Sequence, residues 1–254
     1  MRNIVEIRGV RIGEGIPKII VPIVGRDAKE ILEAAAAIRS APHDIVEWRA
    51  DWLEDAEDQE KVGKVLGDLR RILGDVPLLF TFRTAGEGGE KEMGTSEYAA
   101  LNVFAAQTGL IDLVDVELFS GEAVVREITG CAHAAGVRVV MSSHEFRKTP
   151  PKEEMIGRLR RMQALGADIP KLAVMPRTRR DVLTLLQATE EMAADYADRP
   201  IITMSMAGYG LISRLSGEFF GSACTFGAVG RASAPGQMVE NWHDAQQIRD
   251  EVTQ

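Results

Sequence analysis

The run Ile169-Pro170-Lys171-Leu172-Ala173-Val174-Met175 is apolar at every position but one, and the exception is a lysine. A strand that is apolar along its whole length is buried on both faces, the condition of a parallel sheet covered by helices. Seven other short, β-rich and largely apolar runs accompany it: Ile19 to Val24, Ile45 to Trp48, Leu78 to Phe82, Leu113 to Leu118, Val137 to Met141, Ile201 to Met206 and Cys224 to Val229. They recur at roughly 25 to 35 residues, the length of one strand, one helix and two loops. Between them Ala28 to Arg39, Lys61 to Leu73, Met155 to Leu165 and Asp181 to Ala197 carry the helical period. Ser96, Ser120 and Thr178 stand where N-caps are wanted. This α/β alternation predicts a closed (β/α)8 barrel, or TIM barrel, rather than an open doubly wound sheet, with residues 1–254 as one domain. No G-x-G-x-x-G follows the first run, since Gly25-Arg26-Asp27 has the wrong spacing, which removes the usual dinucleotide reading. The segment Ile4 to Ile12, centred on Gly9, predicts an N-terminal β-hairpin covering the bottom of the barrel.

With 45% hydrophobic and 27% charged residues, the chain has the balance of a globular protein. At this size folding buries about three quarters of the unfolded surface, so no disulfide or metal staple is required. Lys plus Arg number 30 against 38 Asp plus Glu, a net charge of −8, which argues against nucleic acid or anionic membrane as partners. A small anionic substrate stays open, because a local Arg cluster can work inside an acidic protein. Cys131 and Cys224 fit reduced intracellular thiols. The first eight residues are interrupted by charge and no apolar stretch approaches about 18 residues, so the expected setting is the cytoplasm.

In a barrel the carboxyl ends of the strands carry the chemistry. Lys171 is the one lysine set among strand residues. It is either a buried lysine neutralised by Glu47 or Glu117, or an amine with a depressed pKa that attacks carbonyls, with Arg49 and Arg83 supplying a positive neighbourhood. A lone histidine is more often structural than catalytic. His144, however, ends the strand one unit before Lys171, whereas His43, His133 and His243 fall in a loop or on helices. One histidine at the mouth makes a His-rich metal site improbable, and no metal or cofactor is expected. Glu87, in the loop Gly86-Glu87-Gly88-Gly89, is either a solvated charge or the group that orients the imidazole. Arg214 and the loop Ser233 to Gln237 form a candidate clamp for a carboxylate or a phosphate. Met204 and Met206 alternate with Thr203 and Ser205 and so share one face at the mouth.

The blocks Glu47-Trp48-Arg49-Ala50-Asp51, Leu79 to Thr84, Gly86 to Gly89, Ser143-His144, Pro170 to Pro176, Ile202 to Met206 and Ala232 to Gln237 resemble type I 3-dehydroquinate dehydratase, in order and over nearly the whole chain. The resemblance implies a (β/α)8-barrel lyase, usually a homodimer, that converts 3-dehydroquinate to 3-dehydroshikimate through an imine on Lys171. It implies His144 as general acid and base, with Glu87 orienting it. Arg214 and Gln237 would grip the substrate carboxylate, and Glu47, Arg49 and Arg83 would position the ring hydroxyls. Met204, Met206, Phe226 and Ala234 would shape the pocket, and Ser233 and Gln237 would belong to a loop that closes over the ligand. The first rival is a class I aldolase, another Schiff-base barrel. The second is a non-catalytic barrel that binds a carboxylated metabolite through Arg214.

Overall fold

The computed structural model describes residues 3–38, 41–229, 233 and 238–239. The chain opens with an antiparallel hairpin, β1 (Val5–Ile7) and β2 (Val10–Ile12). Its two-residue turn places Arg8 at φ 46° and Gly9 at φ 82°. Two positive φ values in a row match the right-handed twist of the flanking strands.

Eight parallel strands follow: β3 (Lys18–Ile23), β4 (Ile45–Arg49), β5 (Leu78–Thr81), β6 (Leu113–Glu117), β7 (Arg138–Glu145), β8 (Ile169–Val174), β9 (Ile202–Ser205) and β10 (Cys224–Ala228). Each pairs with the next from β3 to β9, and β10 returns to pair with β3. Between β9 and β10 the barrel is drawn together by a single bridge, Ile201 with Ser222. There the Ala223 N–H donates to the Ile201 carbonyl at 2.7 Å and the Thr203 N–H donates to Ser222 Oγ at 3.1 Å. The short strand β11 (Met238–Val239) pairs in parallel with the end of β10.

Helices α1 (Ala28–Ile38), α2 (Gln59–Leu73), α3 (Thr95–Gln107), α4 (Glu122–Ala134), α5 (Lys152–Ala164) and α6 (Arg179–Glu191) alternate with these strands. Two short helices, α7 (Leu211–Leu215) and α8 (Gly217–Phe220), precede β10. None of the described helices is long and apolar enough to cross a membrane. Period-two alternation divides the strand residues between two cores. Val46, Trp48, Phe80, Val114, Val116, Leu172 and Val174 meet the helices. Ile20, Ile45, Leu79, Leu113, Val140, Ile169 and Ile202 point into the barrel, where Val5, Ile7 and Ile12 of the hairpin pack against them as a floor.

Thr178 caps α6 in a reciprocal capping box with Asp181. Ser96 and Ser120 do not cap. Ser96 lies inside α3, whose N-cap is Gly94, and Ser120 precedes Gly121, the N-cap of α4. Gly121 has φ 102°, a backbone state that glycine adopts without steric penalty, so the helix entrance falls there. The helical period of Asp181 to Ala197 is also split: α6 ends at Glu191 and a π turn covers Met192–Tyr196.

Candidate active site

Above the apolar floor, the same alternation sends polar side chains inward. Leu113, Asp115 and Glu117 share the inner face of β6, as Ile169, Lys171 and Ala173 share that of β8 and Val140, Ser142 and His144 that of β7. A pocket enclosing about 540 Å³, mouth included, sits at this end. Its lining contains Glu47, Arg49, Arg83, Glu87, His144, Lys171, Met204, Met206, Arg214, Phe226 and Ser233, every expected site residue that falls among the described ones. Ala234 and Gln237 lie outside the described residues.

Lys171 is 4% exposed, with Nζ 4.6 Å from the centroid of the Phe226 ring. Its ion-pair partner is Asp115, at 3.5 Å, rather than Glu47 or Glu117. Glu47 instead accepts from Thr81 Oγ1 at 2.9 Å, and Glu117 is engaged by Arg83 and by Thr84. Burial lowers the Lys171 pKa. Asp115 and Glu47 oppose that shift, and Arg83 and Arg49 reinforce it.

Arg83 is the electrostatic hub. Its guanidinium lies 2.8 Å from Asp115, 2.9 Å from Glu117 and 3.8 Å from Glu87, and it donates to Ser142 Oγ at 2.9 Å. Burial opposes its charge, yet the three carboxylates hold its pKa well above the ordinary value. Burial likewise works to raise Asp115, but Arg83 and Lys171 keep it below the usual carboxylate range. Arg49 is clasped by Asp51 through two hydrogen bonds of 2.7 Å, and its Nη1 donates to the Ser233 carbonyl at 3.3 Å. The cations expected around Lys171 are therefore present but individually compensated.

His144 is held by Glu87, whose Oε2 lies 2.8 Å from Nδ1, and it stacks on Phe146 with ring centroids 6.4 Å apart. Burial, then the positive charges of Arg83, Lys171 and Arg49, push the imidazole well below 6.5. Glu87 is pushed up to about 8 by burial. Arg83 opposes that shift, and Glu117 and Asp115 add to it. The glycine-rich loop is thus no solvated appendage. Glu87 is 8% exposed, and the chain turns so tightly that a Cβ on Gly89 would sit 1.8 Å from the Arg83 carbonyl oxygen. Arg214, on α7, is 6% exposed with Nη1 3.6 Å from Met204 Sδ, and burial lowers its pKa to about 10, still charged at neutral pH.

Asp115 and Glu117, with Asp51 and Ser142, also belong to the site; the sequence offers Glu117 as a partner for Lys171 but assigns no role to the other three. Carboxylates at i and i+2 in Leu113-Val114-Asp115-Val116-Glu117 are the readable signal for the first two, since that spacing puts both on one face of a buried strand.

Fold and site together define a (β/α)8-barrel enzyme whose mouth combines a buried lysine, a histidine–carboxylate pair and an arginine. The chain matches the model of the type I 3-dehydroquinase family over residues 19–250. It is 58% identical over 236 residues to the 3-dehydroquinate dehydratase of Bacillus subtilis, covering 93% of this chain and 92% of the relative. It is 54% identical over 238 residues to that of Bacillus licheniformis, covering 94% of each. A crystal structure of type I 3-dehydroquinate dehydratase from Clostridium difficile, with covalently modified comenic acid, superposes with a TM-score of 0.95 at 51% identity, covering 99% of this chain and 98% of the other. The chain belongs to the type I 3-dehydroquinase family.

Proposed function

We propose that the chain dehydrates 3-dehydroquinate to 3-dehydroshikimate through an imine on Lys171. The observation carrying this reading is the placement of Lys171 in one buried pocket with the Glu87–His144 pair. A lysine whose ammonium is disfavoured by burial supplies the neutral amine that attacks the C3 ketone. Loss of water, with uptake of one proton, gives an iminium. That cation acidifies the neighbouring C2 hydrogen, which His144 removes while the electron pair moves to nitrogen as an enamine. The pair then returns as the C1–O bond breaks, and His144 delivers its proton to the departing hydroxyl, releasing water. Hydrolysis of the iminium frees the conjugated ketone and the amine. Arg214 holds the substrate carboxylate, and Glu47, Arg49 and Arg83 position the ring hydroxyls, with Met204, Met206 and Phe226 bounding the ring. Ser233, Ala234 and Gln237 complete the ligand contacts, Gln237 joining Arg214 at the carboxylate.

Borohydride reduction in the presence of 3-dehydroquinate, followed by peptide mass spectrometry, tests the reading. The expected result is a reduced adduct on Lys171 with loss of activity. Trapping at another lysine, or none, would refute it. A class I aldolase would share the lysine but give no rise of enone absorbance with 3-dehydroquinate. The same reading carries a cytoplasmic homodimer, whose mass sedimentation equilibrium would measure.

A further inference from the structure

We propose that Asp115 is the counter-ion of the iminium formed on Lys171, and so decides whether the imine is protonated and able to accept electrons. The inference rests on the imine reading above. Asp115 is fully buried, and its two carboxylate oxygens have different surroundings. Oδ1 faces Arg83 Nη2 at 2.8 Å and accepts from Ser142 Oγ at 2.6 Å. Oδ2 accepts no hydrogen bond among the described residues and faces Lys171 Nζ at 3.5 Å. A buried carboxylate oxygen with no donor is costly unless a positive charge accompanies it. The amine and the iminium differ here. At Lys171 burial disfavours the ammonium more than Asp115 favours it, which biases the side chain toward the neutral amine. An iminium can also lose its proton, to a neutral imine, but it must keep that proton to draw the C2 electrons, and its N–H, fixed in the plane of the C=N bond, can face Oδ2. The Phe226 ring face, with its centroid 4.6 Å from Nζ, offers a second weakly negative surface to the same cation. Asp115 stays a carboxylate throughout, taking and giving no proton. The charge opposite it alternates between iminium and neutral enamine as electrons move to nitrogen and back.

Cyanoborohydride reduces an iminium and spares a neutral imine, so trapping with 3-dehydroquinate from pH 6 to pH 9 reads the protonation state directly. In wild type the adduct on Lys171 persists to the alkaline end. In Asp115→Asn, which keeps the shape of the side chain, the alkaline midpoint of trapping is expected to fall by at least one pH unit. Relative to wild type at the same pH, dehydration is expected to fall at least tenfold at pH 8 and to recover in part at pH 6. A folded Asp115→Asn protein whose trapping profile superposes on wild type overturns the counter-ion role and leaves the imine intact. No Lys171 adduct in wild type overturns both. If the Asn variant does not fold, Ser142→Ala carries the test. It keeps the carboxylate but removes a donor from Oδ1, so with the titration carried beyond pH 9 to the wild-type midpoint the variant's midpoint lies higher; an unmoved midpoint overturns the proposal.

Discussion

Glu87 Oε2 accepts from the backbone N–H of His144 at 3.0 Å and lies 2.8 Å from its ring Nδ1, so one oxygen fixes the imidazole and the strand that carries it. The two residues are shifted in opposite directions, Glu87 up to about 8 and His144 well below 6.5. Near neutral pH the pair shares one proton that resides on the carboxyl group, and the pair as a whole releases it toward pH 8. Only after that release does Nδ1–H point at a carboxylate and Nε2 present a free lone pair. The acid limb of kcat/KM is therefore expected to lie above pH 6.5. In Glu87→Gln that limb should disappear, with kcat about 10²-fold lower. A limb near pH 5 that is the same in both proteins would sink the coupling.

In the proposed mechanism, imine formation and elimination fall to different residues. Lys171 needs no contact with His144 to reach a ketone, whereas removal of the C2 proton is the step assigned to His144. His144→Ala should accumulate a borohydride-reducible adduct while steady-state dehydration falls by about 10²–10⁴. Turnover like wild type in that variant removes His144 from its role.

Why Lys171 was readable and Asp115 was not is a matter of physical range. A strand reports its own burial through continuous apolarity, so a lysine within it stands out, and the helices between strands show their period just as locally. Asp115 and Lys171 meet across two strand junctions, β6 to β7 and β7 to β8. That approach depends on strand stagger and barrel closure, which no local pattern carries. The parity of Asp115 and Glu117 was legible, but not which of them would meet the lysine. The serines at 96 and 120 failed for the opposite reason: a cap depends on the backbone state of one residue, and neighbouring glycines took that place.

Asp51 offers a stability test of the scaffold. It is fully buried and accepts four hydrogen bonds, two from Arg49 and one each from the backbone N–H groups of Arg83 and Glu90. Asn in its place has one accepting oxygen and turns an NH2 toward donors. Losing the buried charge strands Arg49, a change that costs about 3–5 kcal/mol. Urea denaturation of Asp51→Asn should show that loss through a lower midpoint at an unchanged slope. A loss below about 1 kcal/mol, the level of an exposed pair, would contradict the role drawn for it.

Gly89→Ala tests whether the loop positions Glu87. A Cβ there would stand 1.8 Å from Arg83 O and 2.5 Å from its carbonyl carbon, so backbone must move rather than a flexible side chain. Glu87 lies two residues away, and displacing a catalytic group by about 1 Å can lower rate about 10²-fold. The expected signature is a fall in kcat larger than any rise in KM. Unchanged kinetics would mean that the loop adjusts without moving Glu87.

Arg214 tests how a chain of net charge −8 holds an anionic substrate. The guanidinium is buried beside Met204 Sδ, and at a pKa of about 10 it remains charged through the working range. A carboxylate entering the pocket can take two parallel N–H···O bonds from it in a site shielded from salt, and hydrogen bonds to charged groups contribute about 1.5–3 kcal/mol each. Lysine keeps the charge but not the fork, and glutamine keeps neither. The expected order of kcat/KM is wild type, then Arg214→Lys, then Arg214→Gln, with the last about 10²-fold or more below the first and the loss mainly in KM. A clamp of the proposed kind acts on binding rather than on the C2 proton, so the single-turnover rate at saturating substrate should fall far less than kcat/KM. If Arg214→Gln instead lowers that rate as much as kcat/KM, the arginine acts on the transition state rather than as a uniform carboxylate clamp.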